Sequence, residues 1–174
     1  MSIITWEIFI VFLLIVANGL FAMSEMALVT ARKSRLQDWA SKGSARAKVA
    51  NAPNRILSSI QIGITLIGIL AGAFAGRTIA DRLGSYLGLI PAIEPYRQEI
   101  GLGIVVIVIT YFALVIGELV PKRLALHNPE SIATLVAIPL RAFSTISSPV
   151  VHALSISTDA LFRLLGRHPL RSRP

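Results

Sequence analysis

The sequence predicts an all-α integral membrane protein: three transmembrane helices followed by cytoplasmic juxtamembrane amphipathic helices. Hydrophobic residues make up 54% of the 174 residues and charged residues only 15%, against about 45–50% and ~25% in soluble domains. Mean hydropathy is +0.70. The few charges are clustered, leaving three long charge-free runs. At about 1.5 Å per helical residue, runs of this length cross the ~30 Å hydrocarbon core.

The first span, about residues 3–29, has a charge-free centre from Ile8 to Ser24 with one strongly polar residue, Asn18. Trp6 stands where an interfacial aromatic anchor belongs. Met1 to Glu7 lack the basic stretch of a cleavable leader, so this run reads as a retained span. The second span covers 56–76 without a charge. The third, about 100–120, is rich in Ile and Val and runs into Gly117-Glu118-Leu119-Val120-Pro121-Lys122-Arg123.

The connections set the orientation. Between the first two spans, Arg32, Lys33, Arg35, Lys42, Arg46, Lys48 and Arg55 are opposed only by Asp38. Between the second and third, three arginines meet three acids. The positive-inside rule makes the 31–55 loop and the C-terminal segment cytoplasmic and the N-terminus external. The localisation expected is the cell inner membrane, with several passes. Residues 132–165 are apolar enough to suggest a fourth span. They also contain Pro139, Arg141, Pro149, His152 and five serines between 144 and 157, and a fourth crossing would export Arg163, Arg167, Arg171 and Arg173. The segment about 129–166 therefore reads as broken amphipathic helices in the cytoplasmic interface, closed by a glycine stop at Gly166.

Composition excludes several functions. With no cysteine, disulfides, thiolate metal sites and cysteine nucleophiles are absent. The formal charge of +8 sits beside apolar runs, which points to anionic lipid headgroups and away from nucleic acid. No phosphate-binding glycine loop and no zinc-protease His-Glu pair is present. All three histidines follow the third span, which leaves no intramembrane base for a serine nucleophile. No enzymatic activity is expected.

Polar side chains inside a bilayer are costly and mark functional candidates. Glu118 ends the third span, and Pro121 lacks the N–H that would bond the Gly117 carbonyl in an α-helix. A freed carbonyl beside a carboxylate suits a hard divalent cation. The alternative is that Glu118 merely pairs with Lys122 one turn on. In the first span, Asn18 and Glu25 share a face whereas Ser24 lies ~100° away, so a straight helix does not aim all three at one point. Asn18 otherwise serves an interhelical hydrogen bond and Ser24 a bond to its own helix. Glu25 is within reach of Arg32 or Arg35. In the second span Ser59 and Gly63 share a face, and Gly68, Gly72 and Gly76 form a small-residue seam suited to close helix packing or a dimer.

Three strings together resemble the transmembrane domain of the CNNM/CorC magnesium-transport family. They are Ala17-Asn18-Gly19-Leu20-Phe21-Ala22-Met23-Ser24-Glu25-Met26-Ala27-Leu28, Gln61-Ile62-Gly63-Ile64-Thr65-Leu66 and Gly117-Glu118-Leu119-Val120-Pro121-Lys122. The resemblance covers roughly residues 4–165. It implies a homodimer of three-span subunits with a juxtamembrane belt, engaged in Mg2+ export and, in bacterial members, coupled to Na+. It further implies an intramembrane ion site drawn from Ser24, Asn18, Ser59, Gly117 and Glu118. Many relatives carry Asn where this chain has Ile64, which removes one side-chain ligand. Typical members continue into cytoplasmic CBS modules, which lie outside residues 1–174. Three functions are compatible with these readings: a Mg2+ transporter, a Mg2+-sensing membrane scaffold that binds the ion without moving it, and a simple anchor whose polar residues only pack helices.

Overall fold

The computed structural model describes residues 3–51, 54–89, 91 and 93–165, and these are helical throughout apart from short turns, with no strand. Helix α1 spans Ile3–Thr30 without interruption. Two short helices of the basic loop follow, α2 (Lys33–Ser41) and α3 (Ala45–Ala50). Gly43 separates them at φ +92°, a left-handed conformation that glycine adopts without penalty. Ser44 then caps α3, its hydroxyl accepting from the Ala47 amide.

Helix α4 runs Asn54–Leu87. It continues past the charge-free run through Asp81 and Arg82, so its last turns lie beyond the apolar segment the sequence marks. A 3₁₀ turn at Glu94–Tyr96 leads into α5 (Arg97–Leu114). There the chain changes hydrogen-bond register. Val115–Leu119 form a π-turn, in which the Val120 amide bonds the Val115 carbonyl five residues back. Helix α6 (Val120–His127) continues from it, and α7 occupies Pro129–Leu164.

Helix α1 is the hub, packing on α4, on the π-turn, on α6 and on α7, while α4 also carries α5. The main core lies where the end of α1, the basic loop, the start of α4, α6 and the first half of α7 converge. Ala27, Ala125, Ala133 and Ala137 are fully buried there, and such small side chains let helix backbones approach closely. Further along, Val11 and Ile15 of α1 meet Ile109 and Ala113 of α5. Most of the remaining surface is apolar: Phe9, Phe12, Leu13, Ile69, Ile107 and Tyr111 are all exposed. A soluble protein does not leave so much contiguous apolar area in water, and the chain is an integral membrane protein.

The expectation of three spans with broken helices at 129–166 is corrected in two respects. Four helices are long and apolar enough to cross a membrane, and α7 is the fourth of them. It is also a single helix of 36 residues that passes through Pro139 and Pro149. Each proline removes one backbone bond, but Ala133, Ala137 and Leu140 hold one side of the segment in the core and Ser147 is buried as well. Packing on both sides of Pro139 thus keeps the helix continuous. The stop expected at Gly166 lies outside the described residues. At the start of α7, buried Glu130 lies 3.9 Å from Arg32 and 4.0 Å from Arg35. Those two arginines therefore face α7 and not Glu25.

Candidate functional site

The two polar features of the first and third spans meet. Asn18 sits at mid-height on α1, and its Nδ2 donates to the carbonyl oxygen of Gly117 at 3.1 Å. In α-helical register that oxygen would accept from residue 121, which is proline, so its intrahelical donor is missing. The other amide atom of the same side chain, Oδ1 of Asn18, is buried and has no hydrogen-bond partner among the described residues. An unsatisfied buried acceptor costs about 1–3 kcal/mol. Few folds leave one in place without using it.

Two glycines allow this approach. A Cβ on Gly117 would stand 3.2 Å from the Ile15 carbonyl oxygen, and one on Gly19 would stand 2.9 Å from the Ile116 carbonyl oxygen and 3.0 Å from Pro121 Cγ. Helix α1 and the π-turn thus touch backbone to backbone. Gly19→Ala is expected to force them apart, lowering stability by about 1–3 kcal/mol despite the better helix propensity of alanine. Thermal melts in detergent check this, with Gly68→Ala as control, since a Cβ there meets nothing within 4 Å.

The other sequence candidates are engaged elsewhere. Glu118 follows Gly117 directly, but its Oε1 accepts from Lys122 Nζ at 2.7 Å, with the two side chains 42% and 34% exposed. This is the simple one-turn pairing that the sequence also allowed. Ser24 is buried and its hydroxyl donates to the Leu20 carbonyl at 2.6 Å, a bond within its own helix. Ser59 is fully buried and donates to the Ser144 hydroxyl of α7 at 3.0 Å. Gly63 on the same helix receives the ring of Phe21, which stacks edge-on against Phe143 at 5.0 Å. The structure therefore unites Asn18, Gly117 and, by adjacency, Glu118, and directs Ser59 toward α7.

What this arrangement offers chemically is oxygen. One backbone carbonyl and one amide side chain meet here, and the Glu118 carboxylate belongs to the next residue of the π-turn. No cluster of three or more His, Cys, Asp or Glu side chains that could hold a metal occurs among the described residues. A small hard cation that keeps part of its water shell requires fewer protein ligands. Sequence reasoning did not identify Ser144 as the partner of Ser59. Gly19 stood in the sequence only as a member of the first of the three strings, with nothing to mark the close approach it permits.

Residues 8–174 match the family model described as the Cyclin M transmembrane N-terminal domain. The chain belongs to the CNNM family. Among CNNM relatives, a UPF0053 protein of Synechocystis is 49% identical over 164 residues, covering 92% of this chain and 37% of that protein. The UPF0053 protein YugS of Bacillus subtilis is 27% identical over 169 residues, covering 95% and 39%. The UPF0053 inner membrane protein YfjD of Escherichia coli is 29% identical over 153 residues, covering 86% and 32%. This CNNM domain therefore spans well under half the length of these relatives.

Proposed function

We propose that the chain is the ion-handling membrane domain of a magnesium exporter, with Mg2+ as cargo and Na+ as the coupling ion. The observation that carries this reading is the buried, unpartnered Oδ1 of Asn18 beside a carbonyl that proline has freed, one residue from Glu118. Mg2+ prefers near-octahedral oxygen at about 2.0–2.1 Å and retains several waters. A carbonyl, an amide oxygen and a carboxylate fit it as a partial inner shell. Ser24 and Ser59 remain candidate ligands in this reading, since each hydroxyl donates its proton within the fold and keeps its oxygen lone pairs for a cation. Membership of the CNNM family supports the same cargo. Mg2+ efflux from liposomes holding the purified chain, with and without a Na+ gradient, tests it. Binding by calorimetry without flux would instead favour the Mg2+-sensing scaffold.

The domain is proposed to sit in the cell inner membrane, as the name of the Escherichia coli relative says of that protein. Its N-terminus would be outside and its C-terminus cytoplasmic. Two attachments of α7 support a course along the cytoplasmic face. Its first turn meets Arg32 and Arg35, and its middle meets Ser59 and α3, which all belong to the basic-loop end of the bundle. A reporter fused after Pro174 is expected to be active only in its cytoplasmic form. A periplasmic signal would make α7 a fourth crossing.

A homodimer is proposed from the face of α4 that the chain leaves open. Gly68 and Gly72 lie four residues apart with nothing within 4 Å of a built Cβ, the pattern of a close helix–helix contact in lipid. Gly72→Leu finds room within its own chain, so it is expected to leave the monomer folded and shift the protein from dimer to monomer in cross-linking or light scattering. An unchanged dimer would place the interface elsewhere. Cytoplasmic CBS modules are proposed as the further partner in a full-length protein.

A further inference from the structure

Beside the core formed by α1, α3, α4 and α7 lies a second polar feature that the ion site does not use. Arg141, Ser144, Ser148, His152 and Ser155 recur at three- and four-residue spacing on α7 and so share one face. That face lines a cavity of about 980 Å³ with Lys48 of α3 and Ser59 of α4 opposite. Its lining contains two fixed positive charges and no carboxylate. Neither Lys48 nor Arg141 takes part in an ion pair among the described residues, whereas Arg32, Arg35, Lys42 and Lys122 all do. The remaining wall is apolar, formed chiefly by Val49, Ile56, Ile138 and Val151.

Cations recognise phosphate oxygens, as ammonium and guanidinium supply both charge and hydrogen-bond donors, whereas Ser59 and Ser155 already donate within the fold. Branched aliphatic side chains in the same cavity suit a hydrocarbon chain. The volume reaches the upper end of the roughly 300–1,000 Å³ typical of organic ligand sites, more than a free phosphate needs. We infer that this groove is a binding site for an anionic phospholipid, whose phosphate lies between Lys48 and Arg141 and whose acyl chain follows Ile56 and Ile138. Charge complementarity selects the occupant: an uncompensated pair of cations beside a membrane-embedded helix meets anionic headgroups first. The occupant would bridge α3, α4 and α7, of which α4 and α7 also meet through the Ser59–Ser144 hydrogen bond.

The test requires no knowledge of the ion. Native mass spectrometry of the wild-type chain, offered equal phosphatidylglycerol and phosphatidylcholine, is expected to retain phosphatidylglycerol with a preference of about tenfold. That is less than two cations can supply, because both side chains are exposed to screening. In nanodiscs of phosphatidylcholine alone, wild type and the Lys48→Gln/Arg141→Gln double variant should melt together. Adding phosphatidylglycerol should raise the melting temperature of wild type and leave the variant unmoved. Equal shifts in both, or no lipid preference in the wild-type spectrum, would overturn the inference. So would a rise produced by inorganic phosphate alone, which would assign the groove to a soluble anion. A change of oligomeric state in the double variant would assign it to a second copy of the chain.

Discussion

Glu118→Gln is expected to weaken Mg2+ binding about tenfold or more while leaving the fold intact. The substitution keeps size and one acceptor oxygen but removes the negative charge of the residue that follows Gly117. Tenfold corresponds to about 1.4 kcal/mol. This is below the ~3–5 kcal/mol for breaking a fully buried ion pair, because Glu118 is 42% exposed. If the carboxylate serves only Lys122, the loss should be the ~0.3–0.5 kcal/mol of a one-turn helix pair, and Mg2+ affinity should not change. Lys122→Gln separates the two cases. It removes an ammonium that lies 2.7 Å from the carboxylate and would repel an arriving divalent cation. Mg2+ binding in that variant is expected to tighten several-fold. Calorimetric titration of the three proteins decides between the readings, and unchanged affinity in both variants would remove Glu118 from the site.

Asn18→Leu should lose measurable Mg2+ binding without losing stability. Leucine matches asparagine in size and fills the same space against the π-turn. It removes the orphaned Oδ1, whose burial costs about 1–3 kcal/mol, but leaves the buried Gly117 carbonyl without its donor at a similar cost. The two nearly cancel, so the melting temperature is expected to hold while calorimetry shows binding gone. If instead the variant unfolds, Asn18 is a structural tie between α1 and the π-turn, and its free oxygen carries no ligand.

The bundle was legible wherever composition alone decides, because the charge-free runs at 8–24, 56–76 and 100–117 can only be buried in lipid. The continuity of α7 was not. Pro139 and Pro149 are local signals for a break, and what overrides them is packing of Ala133, Ala137 and Leu140 against residues far away in sequence. Within the site, the freed Gly117 carbonyl followed from Pro121 directly. Its contact with Asn18 spans 99 positions, and no local pattern encodes that. The faces of α1 gave a partial answer. Separating Asn18 from Ser24 by about a third of a turn implied that both would not serve one point, yet it could not say that Ser24 would close on Leu20. For Ser59 the face was legible but not its neighbour, since Ser144 sits in the segment the sequence reads as broken.

The π-turn at Val115–Leu119 stores one residue more than an α-helix needs to climb the same height. Deleting a single residue there would let α5 and α6 join as one regular helix, each keeping most of its own neighbours in place. With Leu119 removed such a chain would still insert and pack, but Lys122 would stand four residues from Gly117 and return its carbonyl, now held by Asn18, to the helical ladder. The contact between Gly117 and Asn18 is therefore written in the spacing of the third span as much as in its letters. A one-residue gap between Gly117 and Pro121 would erase it even with every other side chain retained.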